Sequence, residues 1–143
     1  MRESQILNEA YEKFMSKEHP LIPVHAIGKA TFKVTKNKER VILDKITKFL
    51  NWSGHLGLVV DSAASYSQTA GRFIKSQTTA GCSDMIACID GKFYAIELKR
   101  VYETGKDKQS DIQKKFENRV NIAGGSYVIV NNFMTFYKWY EGL

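Results

Sequence analysis

A chain of 143 residues, 43% hydrophobic and 12% aromatic, has the length of one ordinary domain and enough apolar mass for a core. No apolar run approaches the roughly 18 residues of a membrane span, MRESQILNEAYEKF has no signal-peptide apolar stretch, and the two cysteines, Cys82 and Cys88, are too few and too close for a disulfide framework or a zinc cluster, so a soluble cytoplasmic protein with two buried thiols is expected. The net charge of +6 is compatible with a polyanionic partner, nucleic acid first, as well as with plain solubility.

Residues 3–18 place Ile6, Leu7, Ala10, Tyr11, Phe14 and Met15 at helical spacing, and His19-Pro20 stops the run. Residues 20–36 hold both prolines and the alternating ATFKVTK, which reads as a connector with one short strand. Asn37 is placed to cap a helix whose Ile42, Leu43, Ile46, Phe49 and Leu50 form one apolar stripe opposite Arg40, Asp44, Lys45 and Lys48. GHLGLVVDSA reads as a strand. The polar stretch 63–80 reads as a loop, long for a small domain. Two strands follow, SDMIACI and KFYAIELKRV, joined by Asp90-Gly91, a dipeptide suited to a turn in which both central residues take positive φ. After the charged YETGKDKQ, Ser110 opens a helix with Ile112, Phe116, Val120 and Ala123 on its apolar side, and Gly124-Gly125 closes it. SYVIV reads as a buried strand, and the tail NNFMTFYKWYEGL as a helix capped by Asn131 or Asn132, with an aromatic edge strand as the alternative.

With Asp90 and Gly91 as the two loop residues, Ile89 pairs with Lys92 and Asp84 comes to face Glu97. Opposed residues share a face with Cβ atoms about 4.5–5.5 Å apart, and Lys99 points to the same side. Facing carboxylates repel unless a proton or a cation neutralises them, and an oxygen-only pair suits Mg²⁺ or Mn²⁺. A three-residue loop or a bulge would shift this register. The bland alternative is a solvated Glu-Lys surface pair, but Ala95, Phe93, Ile86 and Cys88 make the face apolar.

In order, GCSD, a hairpin, ELK, a charged loop, SDIQ opening a helix and GGSYVIV resemble the PD-(D/E)xK nuclease superfamily, and within it the VRR-NUC type, with the RecU- and Hjc-like Holliday junction resolvases as near relatives. The resemblance covers residues 37–141 and departs from the pattern at Ser83, which stands where that family has proline. It implies an α/β fold with an αβββαβ restriction-endonuclease-like core, a mixed central sheet flanked by helices. Residues 1–36 add a helix and a connector, and the whole of 1–143 is one domain. It also implies that Asp84, Glu97 and the Leu98 carbonyl bind Mg²⁺ or Mn²⁺, that Lys99 orients or helps deprotonate the attacking water, and that Gln113 lies near the metal, although Ser110 and Gln113 also form a capping box.

Such nucleases often take a further acid from the first core helix. Glu39 is the candidate, with a first-turn role at the helix dipole as the alternative and Glu9 or Glu12 as fallbacks. Arg72, Lys75, Arg100, Lys106, Lys108, Lys114 and Lys115 supply a basic rim for DNA, though any one of them alone is more simply a solvated cation. Tyr66, Phe73 and Tyr102 could stack on unpaired bases, with core packing the simpler use. The expected activity is metal-dependent DNA cleavage, selective for branched DNA by analogy alone, from a homodimer. Its interface would draw on the N-terminal helix or the aromatic tail, unless these only cover their own core. Alternatives are a restriction- or repair-type nuclease acting on linear, flap or nicked DNA, a non-catalytic DNA-binding protein of the same fold, or a small structural domain.

Overall fold

The computed structural model describes residues 1–61, 65–75, 78–102, 105–106 and 108–143, the side chains of 101, 102, 105 and 106 excepted. Four α-helices among them, α1 (Glu3–Glu18), α2 (Lys38–Trp52), α3 (Asp111–Ile122) and α4 (Phe133–Glu141), flank a four-stranded mixed sheet. In chain order the strands are β1 (Leu56–Val59), β2 (Ser65–Ser67), β3 (Arg72–Ile74), β4 (Met85–Ile89), β5 (Lys92–Leu98), β6 (Val101–Tyr102), β7 (Gly105–Lys106) and β8 (Ser126–Val130). The sheet order is β1-β4-β5-β8, with β1 and β5 antiparallel to β4 and β8 parallel to β5. A parallel neighbour needs a crossover, and α3 provides it.

The hairpin expectation holds in register. Ile89 pairs with Lys92 and Met85 with Ile96, and Asp90 and Gly91 sit at φ 49° and 78°, as a two-residue turn of the mirror-image type requires. Met85, Ala87, Ile89, Tyr94, Ile96 and Leu98 alternate onto one face and join Ile6, Leu7, Leu43, Ile46, Phe49, Leu50, Phe133 and Phe136 in the core. The helical stripes of α1, α2 and α4 exist to cover that face. Asn37 caps α2 through the N–H groups of Glu39 and Arg40, and Asn132, one of the two candidates, caps α4 through Thr135.

Several expectations are corrected. The connector before α2 contains a 3-10 turn at Val24–Ala26 and no strand among the described residues, because side chains satisfy its backbone: Asn8 accepts from Ala30 N–H, Asp44 accepts from Lys33 N–H, and Lys48 donates to the Thr31 carbonyl. Within 63–80 lies a small hairpin, β2 with β3, whose Tyr66 and Phe73 meet edge-on at 5.3 Å yet stay 57% and 69% exposed, so neither packs in the core. β5 ends at Leu98, and Val101 instead pairs with Lys106 in a two-residue ladder. SYVIV is an edge strand in which only Val130 is buried. Cys88 is exposed and Cys82 half-buried, because Cys88 faces away from the core side of β4.

The alternative in which α1 and the aromatic tail cover their own core is met at four side chains. Ile6 and Leu7 of α1, and Phe133 and Phe136 of α4, are buried within this chain's own core.

Candidate active site

The strand pairing brings Asp84, Glu97, Lys99 and Gln113 to one end of the face that α3 crosses. Asp84 follows the buried Ser83, whose hydroxyl donates to the Met85 carbonyl at 2.9 Å, a fixed link where the resembled family has proline. Val60 N–H donates to the Asp84 carbonyl at 2.8 Å, tying the end of β1 to this point. The Asp84 side chain then accepts from the Leu98 N–H at 2.7 Å, closing the ladder where the two strands stop pairing through the main chain. Asp84 and the Leu98 peptide are therefore adjacent. Gly81, at φ 75°, lies so close to α3 that a Cβ there would come within 2.6 Å of the Ile112 carbonyl oxygen, which pins this loop to the first turn of α3.

Glu97 is 3% exposed. Its Oε1 receives Gln113 Nε2 at 2.5 Å and Lys99 Nζ at 3.1 Å, while its Oε2 is buried with no hydrogen-bond partner. Gln113 serves two purposes: its Oε1 accepts from the Ser110 N–H at 2.9 Å as the capping box requires and from Lys99 Nζ at 2.9 Å. The cap and the site share one side chain. Lys99 is held from below as well, its N–H donating to the Val130 carbonyl at 2.9 Å.

The electrostatics follow from burial. Desolvation first, and then the Asp84 charge, push the Glu97 carboxyl above its ordinary 4.5, with Lys99 opposing. Desolvation likewise lifts Asp84 above 3.8, opposed by the Leu98 N–H and assisted by the negative charge of Glu39. The Glu39 charge thus acts on Asp84, and its Oε1 pairs with Arg100 Nε at 2.7 Å.

Burial on this face agrees with expectation at the charged end and departs from it at the turn. The charged end is closed, with Glu97 and Ala95 buried, and the turn end is open, with Phe93 and Cys88 exposed. Arg72 and Lys75 lie on and just after β3 and Lys108 and Lys115 before and within α3, all exposed; Lys114 stands 3.9 Å from Asp111; the Lys106 and Tyr102 side chains fall outside the described residues.

One residue went unmarked in the sequence. Tyr127 pairs with Ala95 across the parallel β5-β8 ladder and so lies on the site face, its hydroxyl buried without a partner and its pKa raised by desolvation and then by the Glu97 charge. Its odd spacing in SYVIV was visible, but the β8 register that assigns it a face was not.

Among the described residues no three His, Cys, Asp or Glu side chains stand grouped in metal-holding geometry. The donors nevertheless fit a hard divalent cation, since a buried carboxylate oxygen without a partner stands beside a second carboxylate and a main-chain peptide. No family model, curated protein or solved structure matches the chain. No described helix is long and apolar enough to cross a membrane.

Proposed function

We propose that this chain is a divalent-metal-dependent DNA endonuclease of the PD-(D/E)xK kind, acting on branched DNA. The observation that carries the reading is Glu97, a carboxylate 3% exposed beside Asp84, with one oxygen held by Lys99 and Gln113 and the other unpartnered. A purely structural ion pair does not call for a second buried carboxylate at its side. The order α2, β1, β4, β5, α3, β8, with β5 and β8 parallel, supports a restriction-endonuclease-like core.

Asp84, Glu97 and the Leu98 carbonyl would hold Mg²⁺ or Mn²⁺, with Glu39 in reach of the same site. When bound, the ion supplies Lewis acidity at a phosphoryl oxygen and makes its water a better nucleophile. The remaining tasks fall to the chain. Gln113 fixes the separation of Glu97 and Lys99 by bonding both. The Lys99 ammonium has three donors, and two are taken by Glu97 and Gln113, which leaves one N–H for the attacking water or a phosphate oxygen. Arg100 holds Glu39 in place, and the exposed Arg72, Lys75, Lys108 and Lys114 lend positive charge toward the DNA backbone.

The test is incubation with supercoiled plasmid, linear duplex, flap and four-way junction DNA, with Mg²⁺ and with chelator. Metal-dependent cleavage strongest on the junction is expected. Cleavage confined to linear duplex or flaps would keep the chemistry and replace the substrate, and no cleavage of any of them would leave a DNA-binding or structural protein.

A further inference from the structure

Two buried side-chain oxygens among the described residues have no hydrogen-bond partner, and they belong to neighbouring strands and the same sheet face. One is Glu97 Oε2 and the other is the hydroxyl of Tyr127. Across the parallel β5-β8 ladder Tyr127 pairs with Ala95 and Ile129 with Glu97, so Tyr127 lies one diagonal step from Glu97, about 8 Å between Cα atoms for strands roughly 4.8 Å apart rising roughly 3.3 Å per residue. Long side chains interact across such a step. The ring is held from above by α3, where Phe116 meets it edge-on at 6.3 Å.

The two atoms complement each other, since a carboxylate oxygen only accepts and a phenol can donate. Gln113 and Lys99 both bond the other oxygen, Oε1, and the Leu98 N–H is given to Asp84, so none of these contacts serves Oε2. Burial first, and then the charge of Glu97, raise the Tyr127 pKa above its ordinary 10.0; Glu117 and Asp84 add to the rise, and the Gln109 side chain opposes it. A phenol kept protonated is a donor. The Gln109 amide is itself spent on Glu117 Oε2, at 2.8 Å.

We propose that Tyr127 positions Glu97, its hydroxyl joined to Oε2 by a single buried water. Buried waters sit where otherwise unpartnered polar groups converge, and a water can accept from a phenol while it donates to a carboxylate. The link would fix the plane of the Glu97 carboxylate from the oxygen that Gln113 and Lys99 leave free. Its consequence for a metal rests on the nuclease reading: Oε2 keeps a second lone pair for the ion, and Tyr127 becomes the outer partner that orients it.

A double-mutant cycle tests the link in chelator at neutral pH, comparing the melting temperatures of wild type, Tyr127→Phe, Glu97→Gln and the two substitutions together. Phenylalanine keeps the ring beside Phe116 and removes the hydroxyl alone. Tyr127→Phe should lower the melting temperature by roughly 3 °C or more in the wild-type background and by less than half as much beside Glu97→Gln, because hydrogen bonds to a charged group are the stronger ones. Equal shifts in the two backgrounds, or no shift in either, would overturn the proposal. Calorimetric titration with Mg²⁺ adds a readout that ring packing would not move: the dissociation constant should rise about tenfold in Tyr127→Phe. A wild type and a Tyr127→Phe that bind Mg²⁺ equally would overturn the orienting role even where both cut DNA. The nuclease reading fails separately, through a wild type that neither binds Mg²⁺ nor cuts DNA, and a coupled cycle would then still uphold the link between Tyr127 and Glu97.

Discussion

On one side of the central sheet, α1, α2 and α4 bury Ile46, Leu50 and Phe136 completely, and Phe49 meets the rings of Phe133, Phe136, Tyr137 and Tyr140 edge-on at 5.1–6.0 Å. On the other side, α3 contributes Val120 as its one described buried residue, and Gln113 in its first turn meets a carboxylate and a lysine. The first side follows the rule that apolar area removed from water stabilises a fold. The second departs from it, burying charge at one end and exposing leucine and phenylalanine at the other. A sheet sandwiched for stability alone would have neither feature, and local departures from consistency are where functional sites are expected.

Substitutions on the two sides should therefore separate stability from activity. The largest stability loss belongs to the packed side: Phe136→Ala should cost about 3–5 kcal/mol in chemical denaturation, by the cavity left among the surrounding rings. Next comes the joint between the sides. Gly81→Ala forces a Cβ against the Ile112 main chain at a positive φ, and it should cost roughly 1–3 kcal/mol while also displacing Asp84 and abolishing cleavage. An equal loss of stability with undiminished cleavage would show that the Gly81 contact does not position the site.

A matched pair of caps sharpens the contrast. Asn132→Ala and Ser110→Ala each remove one cap, and each should cost about 1 kcal/mol. Only Ser110→Ala loosens Gln113, so only it should slow cleavage. Equal rates in the two variants would show that the Ser110 hydroxyl does not position Gln113 for Glu97 and Lys99.

The smallest effect is in pH. An acid whose pKa is higher folded than unfolded binds its proton more tightly in the folded state, so its contribution is full below the ordinary value and is lost as pH rises through the folded value. Glu97 and Asp84 are both of this kind. In chelator, Glu97→Gln should melt above wild type at neutral pH, and the difference should shrink as pH falls toward 4.5. A constant difference across that range would mean that Glu97 carries no burial penalty.

Much of this could be read from the sequence where local chemistry decides. The Asp90-Gly91 turn set the β4-β5 register and with it the meeting of Asp84 and Glu97, and the stripe of α2 and its Asn37 cap marked a helix to within two residues of its end. What depended on distant partners was not legible. Tyr127 required the parallel register of β8, the exposure of Cys88 and Phe93 required knowing how far α3 reaches, and the β2-β3 hairpin has no alternating pattern because no face of it is buried. Glu39 was chosen for its place on the helix stripe, but it is the Arg100 contact that holds it, and its negative charge raises the Asp84 pKa.

Whether Asp84 and Glu97 form a metal-dependent hydrolytic centre is decided by cleavage of four-way junction DNA by wild type and Glu97→Ala, each with Mg²⁺ and with chelator. Wild type should cut only with Mg²⁺, and the variant should lose cleavage while binding the DNA as tightly or more so, since a metal ligand and a negative charge leave together. Cleavage by Glu97→Ala at the wild-type rate, or wild-type cleavage undiminished by chelator, would contradict it.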